Sequence, residues 1–156
     1  MAKIIEWEEY LTLDDGTSFP AATDADIMAL EQQLSRTLPQ DFKDVLKTNQ
    51  GKTPEPGGVP IGKGGSVFGC LFHAFFSGLA MSYSIAENTE RMEEWGFNNY
   101  VAFTDNTGNS YYCFDYNASQ INPPIVFIVG DYEPSDPRSI IPIAKNFTEL
   151  LDMLED

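Results

Sequence analysis

The strongest constraint on the fold is a change in hydrophobic spacing about one third of the way along the chain. Up to Gly51 the apolar residues recur every three or four positions, which is typical of amphipathic helices. From Tyr100 onward, β-rich segments alternate with turn residues, which is typical of strands. Helices followed by strands predict an α+β fold, in which helices pack on a largely antiparallel or mixed sheet. At 156 residues, the chain is expected to be a single domain over residues 1–156.

Apolar stripes and capping residues predict where the first helices begin. The spacing of Ile4, Trp7 and Leu11 predicts a short opening helix. Thr23 is a suitable N-cap for a second helix, because its hydroxyl can accept a hydrogen bond from an amide of the first turn. Pro39 predicts the start of a third helix, because its missing amide proton is not needed there. The first third of the chain is therefore expected to be helical.

Two further helices are predicted from capping boxes, in which a polar N-cap is followed three positions later by Glu. One begins after Ser84 and ends at Trp95, and the other begins after Asn146 and extends its apolar stripe to Leu154. The apolar stripe of the last helix is expected to face the core.

The strands are predicted from β-rich segments and from the turn residues between them. Residues 51–69 are rich in Gly and Pro and predict an exposed loop. Gly108 is expected to adopt a positive φ angle in a hairpin turn. Pro142 lacks an amide proton and therefore places the last strand at a sheet edge or at a bulge. The predicted strands lie at residues 67–76, 100–104, 110–116, 124–129 and 140–143.

The charge of the chain limits the classes of partner. Asp and Glu number 24 against 9 Lys and Arg, which gives a formal net charge of −15. Proteins bind phosphate backbones chiefly by neutralising them with cations, so we expect neither nucleic acid nor anionic membrane as a partner. The longest apolar stretch, residues 68–81, is too short to span a bilayer. The excess of acids favours either solubility alone or attraction of a basic protein.

The residue types that most often hold metals or act as nucleophiles are scarce. Cys70 and Cys113 lie in apolar runs without metal-ligand spacing, and His73 is the sole histidine and lies among phenylalanines. We therefore expect no disulfide, no metal and no cofactor. The first six residues already include charged side chains and do not resemble a secretory signal, so we expect a cytoplasmic protein.

Paired carboxylates are the remaining candidates for catalysis. Asp105 and Asp115 flank the predicted hairpin, and Asp131 and Glu133 follow the next strand. A carboxylate hydrolase needs two of them in different environments within one cleft. Aspartates are also common at strand ends, because their side chains bond to nearby backbone amides. The simpler expectation is that the protein is not an enzyme.

The same acids can instead form a surface that captures the lysine and arginine side chains of a basic protein. Tyr132 would add an aromatic anchor to such a surface. We expect these acids to gather on loops at one end of the fold, although solvated loops that keep the protein soluble are the alternative for each residue. The candidate partner-binding residues are Asp105, Asp115, Asp131, Tyr132, Glu133 and Asp136.

A series of short motifs follows the chain in a characteristic order. They include Leu38-Pro39 before a predicted helix and Pro123-Pro124 before a predicted strand. Together they cover roughly residues 20–155 and resemble the SUKH superfamily, whose first described members include yeast regulators of cell-wall synthesis of the Smi/Knr type. The blocks lie at residues 23–31, 38–42, 49–51, 101–103, 108–109, 112–115, 123–125, 143–147 and 149–151.

The resemblance implies an α+β fold and does not imply enzymatic activity. For bacterial members it implies an immunity protein that binds and neutralises a polymorphic toxin, often a nuclease or a deaminase. For members like the yeast proteins it implies a regulatory scaffold that binds a host protein. We expect the first of these roles, with a basic toxin domain bound at an acidic face.

Overall fold

A computed structural model describes residues 4–156, and within them four α-helices flank a four-stranded antiparallel sheet. The helices are α1 Asp24–Leu34, α2 Gln40–Asn49, α3 Ile85–Glu94 and α4 Phe147–Met153, with one turn of 3-10 helix at Met81–Tyr83. The strands are β1 Glu6–Glu9, β2 Lys52–Glu55, β3 Gly58–Val59, β4 Ser66–Val67, β5 Tyr100–Asp105, β6 Tyr111–Asp115, β7 Ile125–Ile128 and β8 Ile140–Ala144. The α+β prediction is confirmed.

The sheet has the strand order β5-β6-β7-β8, and helices cover both of its faces. On one face, the ring of Phe42 in α2 packs 5.1 Å from the rings of Phe114 in β6 and Phe147 in α4. Successive side chains of a strand point to opposite faces, so Tyr111, three residues before Phe114, lies on the other face. There it contacts Trp95, at the end of α3, with ring centroids 5.9 Å apart. The sheet therefore lies between α2 and α4 on one side and α3 on the other.

Three of the α-helices begin directly after the side-chain caps predicted from the sequence, and α2 begins directly after Pro39, which makes no side-chain capping bond. Thr23 and Asp26 form a reciprocal capping box, in which the Thr23 hydroxyl accepts from the Asp26 amide at 3.1 Å and the Asp26 carboxylate accepts from the Thr23 amide at 2.9 Å. Ser84 and Asn146 likewise accept from the amide three residues later, at 3.0 Å and 2.8 Å. Local hydrogen bonding therefore sets these helix starts.

The prediction of an opening helix is wrong, because residues 6–9 form strand β1. This strand pairs antiparallel with β2, and Trp7 packs its ring 6.0 Å from that of Phe68. Ile4 is 87% exposed and does not contribute to an apolar stripe. The pairing partner lies more than forty residues away in the chain, as the register Glu6 to Glu55 shows. A local pattern of three apolar residues cannot reveal such a partner.

The predicted loop at 51–69 contains three short strands. Strand β2 pairs with β1, and β3 pairs with β4 as a small hairpin. The strand predicted at 67–76 is not formed beyond Val67, the last residue of β4. Residues 69–73 instead make single backbone hydrogen bonds to the segments on either side of them. The Leu71 amide donates to Lys52 at 2.8 Å, and the Phe72 amide donates to Phe103 at 2.9 Å. These residues join β2 to β5 without forming a regular ladder.

The hairpin β5–β6 turns as predicted, but a different residue takes the positive φ angle. Thr107 has φ 66°, whereas Gly108 is outside the left-handed region. The Asn106 side chain explains the difference, because it accepts from the amides of Gly108 at 3.0 Å and Ser110 at 3.2 Å. An Asx-type turn of this kind fixes the loop through a side chain.

Pro142 lies on the edge strand β8, and the register of β8 against β7 shifts beside it, between Ile125 and Val126. The prediction of an edge or a bulge is therefore confirmed, and both occur. Proline has no amide donor for a ladder, and proline on an edge strand hinders pairing with another chain.

We predict that Phe42→Ala lowers the free energy of unfolding by about 3–5 kcal/mol, because it removes a buried ring from between two helices and the sheet. Ile121→Ala is the control, since Ile121 is 83% exposed and its loss should change the free energy by less than about 0.5 kcal/mol. Urea unfolding followed by circular dichroism measures both. Similar losses for the two variants would contradict the central role of Phe42.

Candidate functional site

The two hairpin aspartates lie at opposite ends of the β5–β6 pair. Asp105 pairs with Tyr111, and Asp115 pairs with Tyr100. Four residues separate Tyr111 from Asp115, which places the two carboxyl groups on the order of 13 Å apart along the sheet. Each caps a turn: the Thr107 amide donates to Asp105 at 3.1 Å, and the amide two residues after Asp115 donates to that carboxylate at 2.9 Å. The structure does not bring this pair together in a cleft.

The Asp105 carboxylate is directed toward the backbone at Gly69 rather than toward solvent. Its carboxylate lies so close to Gly69 that a Cβ atom there would collide with it, and the Gly69 amide donates to the Asp105 carbonyl at 2.7 Å. Burial raises the pKa of the Asp105 carboxyl above its ordinary value. Asp105 therefore fastens the segment around Gly69 to the end of β5.

Asp131 lies beside the tip of the hairpin. The side-chain amide of Asn109 donates to Asp131 at 2.7 Å, and Gly130 packs directly against the Asn109 backbone. The loop after β7 therefore lies at the same end of the sheet as Asp105. Among the residues described, neither Asp131 nor Glu133 forms an ion pair.

Asp136 and Tyr132 are occupied by a neighbouring cation. The Arg138 guanidinium donates to both Asp136 oxygens, at 3.1 Å and 2.8 Å, and lies 4.2 Å from the centroid of the Tyr132 ring. The hydrogen bonds from Arg138 hold the pKa of the Asp136 carboxyl below its usual value. Of the six predicted residues, Asp131 and Glu133 are therefore the ones that present exposed carboxylates without a paired cation.

Three further carboxylates, which the sequence reasoning passed over, lie on α3. Glu90, Glu93 and Glu94 are exposed, and no ion pair involves them within residues 4–156. They line a groove of about 740 Å³ between the C-terminal end of α1, helix α3 and the start of β5. We call these residues the α3 acids and this cavity the α3 groove.

The α3 acids and the loop after β7 lie next to each other. Gly96, two residues beyond Glu94, has φ +95°, and a Cβ atom there would lie 3.0 Å from Pro134. Trp95 is 38% exposed at this junction. Trp95, the residue between Glu94 and Gly96, therefore adds a partly exposed aromatic side chain near the contact between α3 and the loop that carries Asp131 and Glu133.

The carboxylates were expected to lie on loops at one end of the fold, but they are not confined to those loops. Strand β1 exposes Glu6 and Glu8, and Glu6 lies directly opposite Glu55 of β2. A second acidic surface therefore lies on the β1–β2 pair, whose residues do not line the α3 groove.

Metal-binding residues are not assembled in the part of the chain that the structure describes. No three His, Cys, Asp or Glu side chains are grouped as metal ligands in residues 4–156. Nor does any helix in this range have the length and apolar character that a bilayer span requires.

Comparison with known families adds to this geometry. Residues 21–153 match the model of the SMI1 / KNR4 family (SUKH-1). The chain belongs to this family. The resemblance inferred from the short motifs is thus confirmed, and the matched region runs from just before α1 to the end of α4. A search of curated proteins gave no match.

The sole histidine of this SUKH-1 member serves the packing of the loop that borders the α3 groove. Its Nε2 lies 2.9 Å from the carbonyl oxygen of Ala80, and its Nδ1 accepts from the Phe75 amide at 3.1 Å. These two contacts suit the neutral ring with the proton on Nε2. Burial lowers the pKa of His73 below its ordinary value.

We predict that stability falls as the pH drops below about 6.5, the ordinary histidine pKa. The unfolded chain takes up a proton there, whereas folded His73 resists protonation, so the free energy of unfolding decreases as pH falls toward the folded pKa. The slope should not exceed about 1.4 kcal/mol per pH unit, the limit for one proton. Urea unfolding between pH 5.5 and 7.5 measures it, and His73→Gln should flatten the slope.

A second measurement does not depend on whether the variant folds. Because the chain has one histidine, its ring resonance in the NMR spectrum of the native protein can be followed without ambiguity. A titration midpoint at or above 6.5 would contradict the prediction.

Proposed function

We propose that this SUKH-1 member is a non-enzymatic, cytoplasmic immunity-type protein that neutralises a basic toxin domain by covering it. The observation that carries the proposal is a set of exposed carboxylates that form no ion pair within residues 4–156, near the contact between α3 and the loop after β7: the α3 acids, Asp131 and Glu133. Family membership supports the proposal, since immunity proteins and SMI1/KNR4-type regulators are both expected within it.

The geometry favours binding over carboxylate catalysis. A hydrolase needs two carboxyl groups at a fixed separation in a shared cleft. Asp105 and Asp115 lie at opposite ends of the hairpin, and Asp131 and Glu133 lie on an open loop. Exposed acids around an aromatic side chain are instead typical of surfaces that recognise lysine and arginine.

The proposal is tested with the product of the gene beside this one. Expression of that product alone should stop cell growth, and co-expression of this protein should restore it. The two purified proteins should form a complex. Restored growth without a complex, or a complex with a product that is not toxic, would contradict the immunity role; the second result would favour the regulatory scaffold.

We predict that complex formation depends steeply on salt, because attraction between exposed charges is screened over about 8 Å at physiological ionic strength. Between 50 mM and 500 mM NaCl, the association rate should fall by at least about tenfold, while the dissociation rate changes much less. Stopped-flow or surface-binding kinetics separate the two rates. Affinity that does not change with salt would contradict electrostatic attraction.

A further inference from the structure

The α3 groove combines features that suit a protein segment. Its walls are the C-terminal end of α1, with Leu34, and helix α3, and the loop before α3 adds Phe76 and Met81. Phe76 is 42% exposed, and Leu79 on the same loop is 45% exposed. Large apolar side chains at a concave surface are typical anchors of protein interfaces.

The cations in the groove are already held by the protein. Arg91 donates to the side chain of Asn88 and lies 4.0 Å from Glu87. Arg36 donates to the Gln120 side chain at 2.9 Å and lies 5.0 Å from the centroid of the ring of Tyr116, the residue after β6. The α3 acids form no ion pair within residues 4–156. Four glutamates and two arginines line the groove, so the net charge that it offers to an incoming chain is negative.

The α3 acids are also unfavourable for the helix that carries them. Glu93 and Glu94 lie in the last turn of α3, where the helix dipole repels negative charge. Glu90 and Glu94 are four residues apart, a spacing at which like charges repel each other. Arg91 lies in the same turn and offsets part of this repulsion, and a cationic partner would offset more of it. Local violations of stability rules tend to occur at functional sites.

We propose that the α3 groove is the docking site for a segment of the partner protein that is rich in lysine and arginine and carries an apolar anchor. Its cations pair with the α3 acids, and its anchor packs against Phe76. The inference rests on the proposed function, because it identifies the surface through which the toxin domain is covered.

Two variants with the same change in net charge test the site. E90Q/E93Q/E94Q removes the α3 acids, and E6Q/E8Q/E55Q removes three acids from the β1–β2 pair. Both relieve like-charge contacts, so both should unfold at the same or a higher urea concentration than the native protein. Folding defects therefore cannot mimic the expected result.

The two variants should differ in the dissociation rate of the complex with the neighbouring gene product. Loss of contacting acids raises the dissociation rate, whereas loss of distant acids mainly slows association. We expect at least a tenfold rise for E90Q/E93Q/E94Q and less than a twofold rise for E6Q/E8Q/E55Q. Phe76→Ala, at an exposed position, should also raise it at least tenfold. Equal effects of the two triple variants would overturn the inference.

A peptide probe separates this inference from the proposed function. We would titrate a 15-residue peptide of lysine, alanine and one central leucine into the labelled protein and follow its amide NMR signals. The shifts should centre on residues 76–81 and 90–95, and shifts centred on β1 and β2 would overturn the inference. If the peptide binds the groove and no neighbouring product binds, the proposed function fails while the groove assignment stands.

Discussion

The contact between the ring of Phe42 and the sheet determines how the rest of the molecule is arranged. Phe42 packs 5.6 Å from Phe103, 5.1 Å from Phe114 and 5.1 Å from Phe147, so one side chain joins α2, α4 and two strands. With α2 and α4 held on one face, α3 packs on the other face and leaves its acidic side exposed. The core cluster thus positions the proposed docking surface without contributing to it.

Both edges of the four-stranded sheet are closed to another chain by different means. On β5, the Ala102 amide donates to the Thr89 hydroxyl of α3 at 3.1 Å, and Phe103 accepts from the Phe72 amide at 2.9 Å. The other edge strand, β8, contains Pro142, and proline on an edge hinders pairing with another chain. A partner that added a strand to this sheet would have to displace one of these features. Side-chain surfaces such as the α3 groove are therefore the more accessible place for recognition.

Local chemistry explains which elements could be predicted from the sequence. Helix starts at Thr23, Ser84 and Asn146 depend on hydrogen bonds within four residues, so they are visible in the sequence and correct. Strand β1 depends on β2, more than forty residues away, so its three apolar residues were mistaken for a helix. The turn residue was misassigned for a related reason: glycine permits a positive φ angle, but the Asn106 side chain decided that Thr107 would adopt it.

The number of acidic residues in the sequence was less informative about the site than the ion pairs that these residues form in the folded protein. Asp136 was chosen as a partner-binding residue, but Arg138, two positions later, already neutralises it in the folded protein. Glu93 and Glu94 were not among the predicted site residues, although their place in the last turn of α3 opposes the helix dipole. That opposition is visible in the sequence once the helix end at Trp95 is known, so it was the available signal for the site. An acid that is paired within its own fold gains little from a partner, whereas an exposed acid beside like charges gains free energy when a cation arrives. The α3 acids combine this property with a place in a groove.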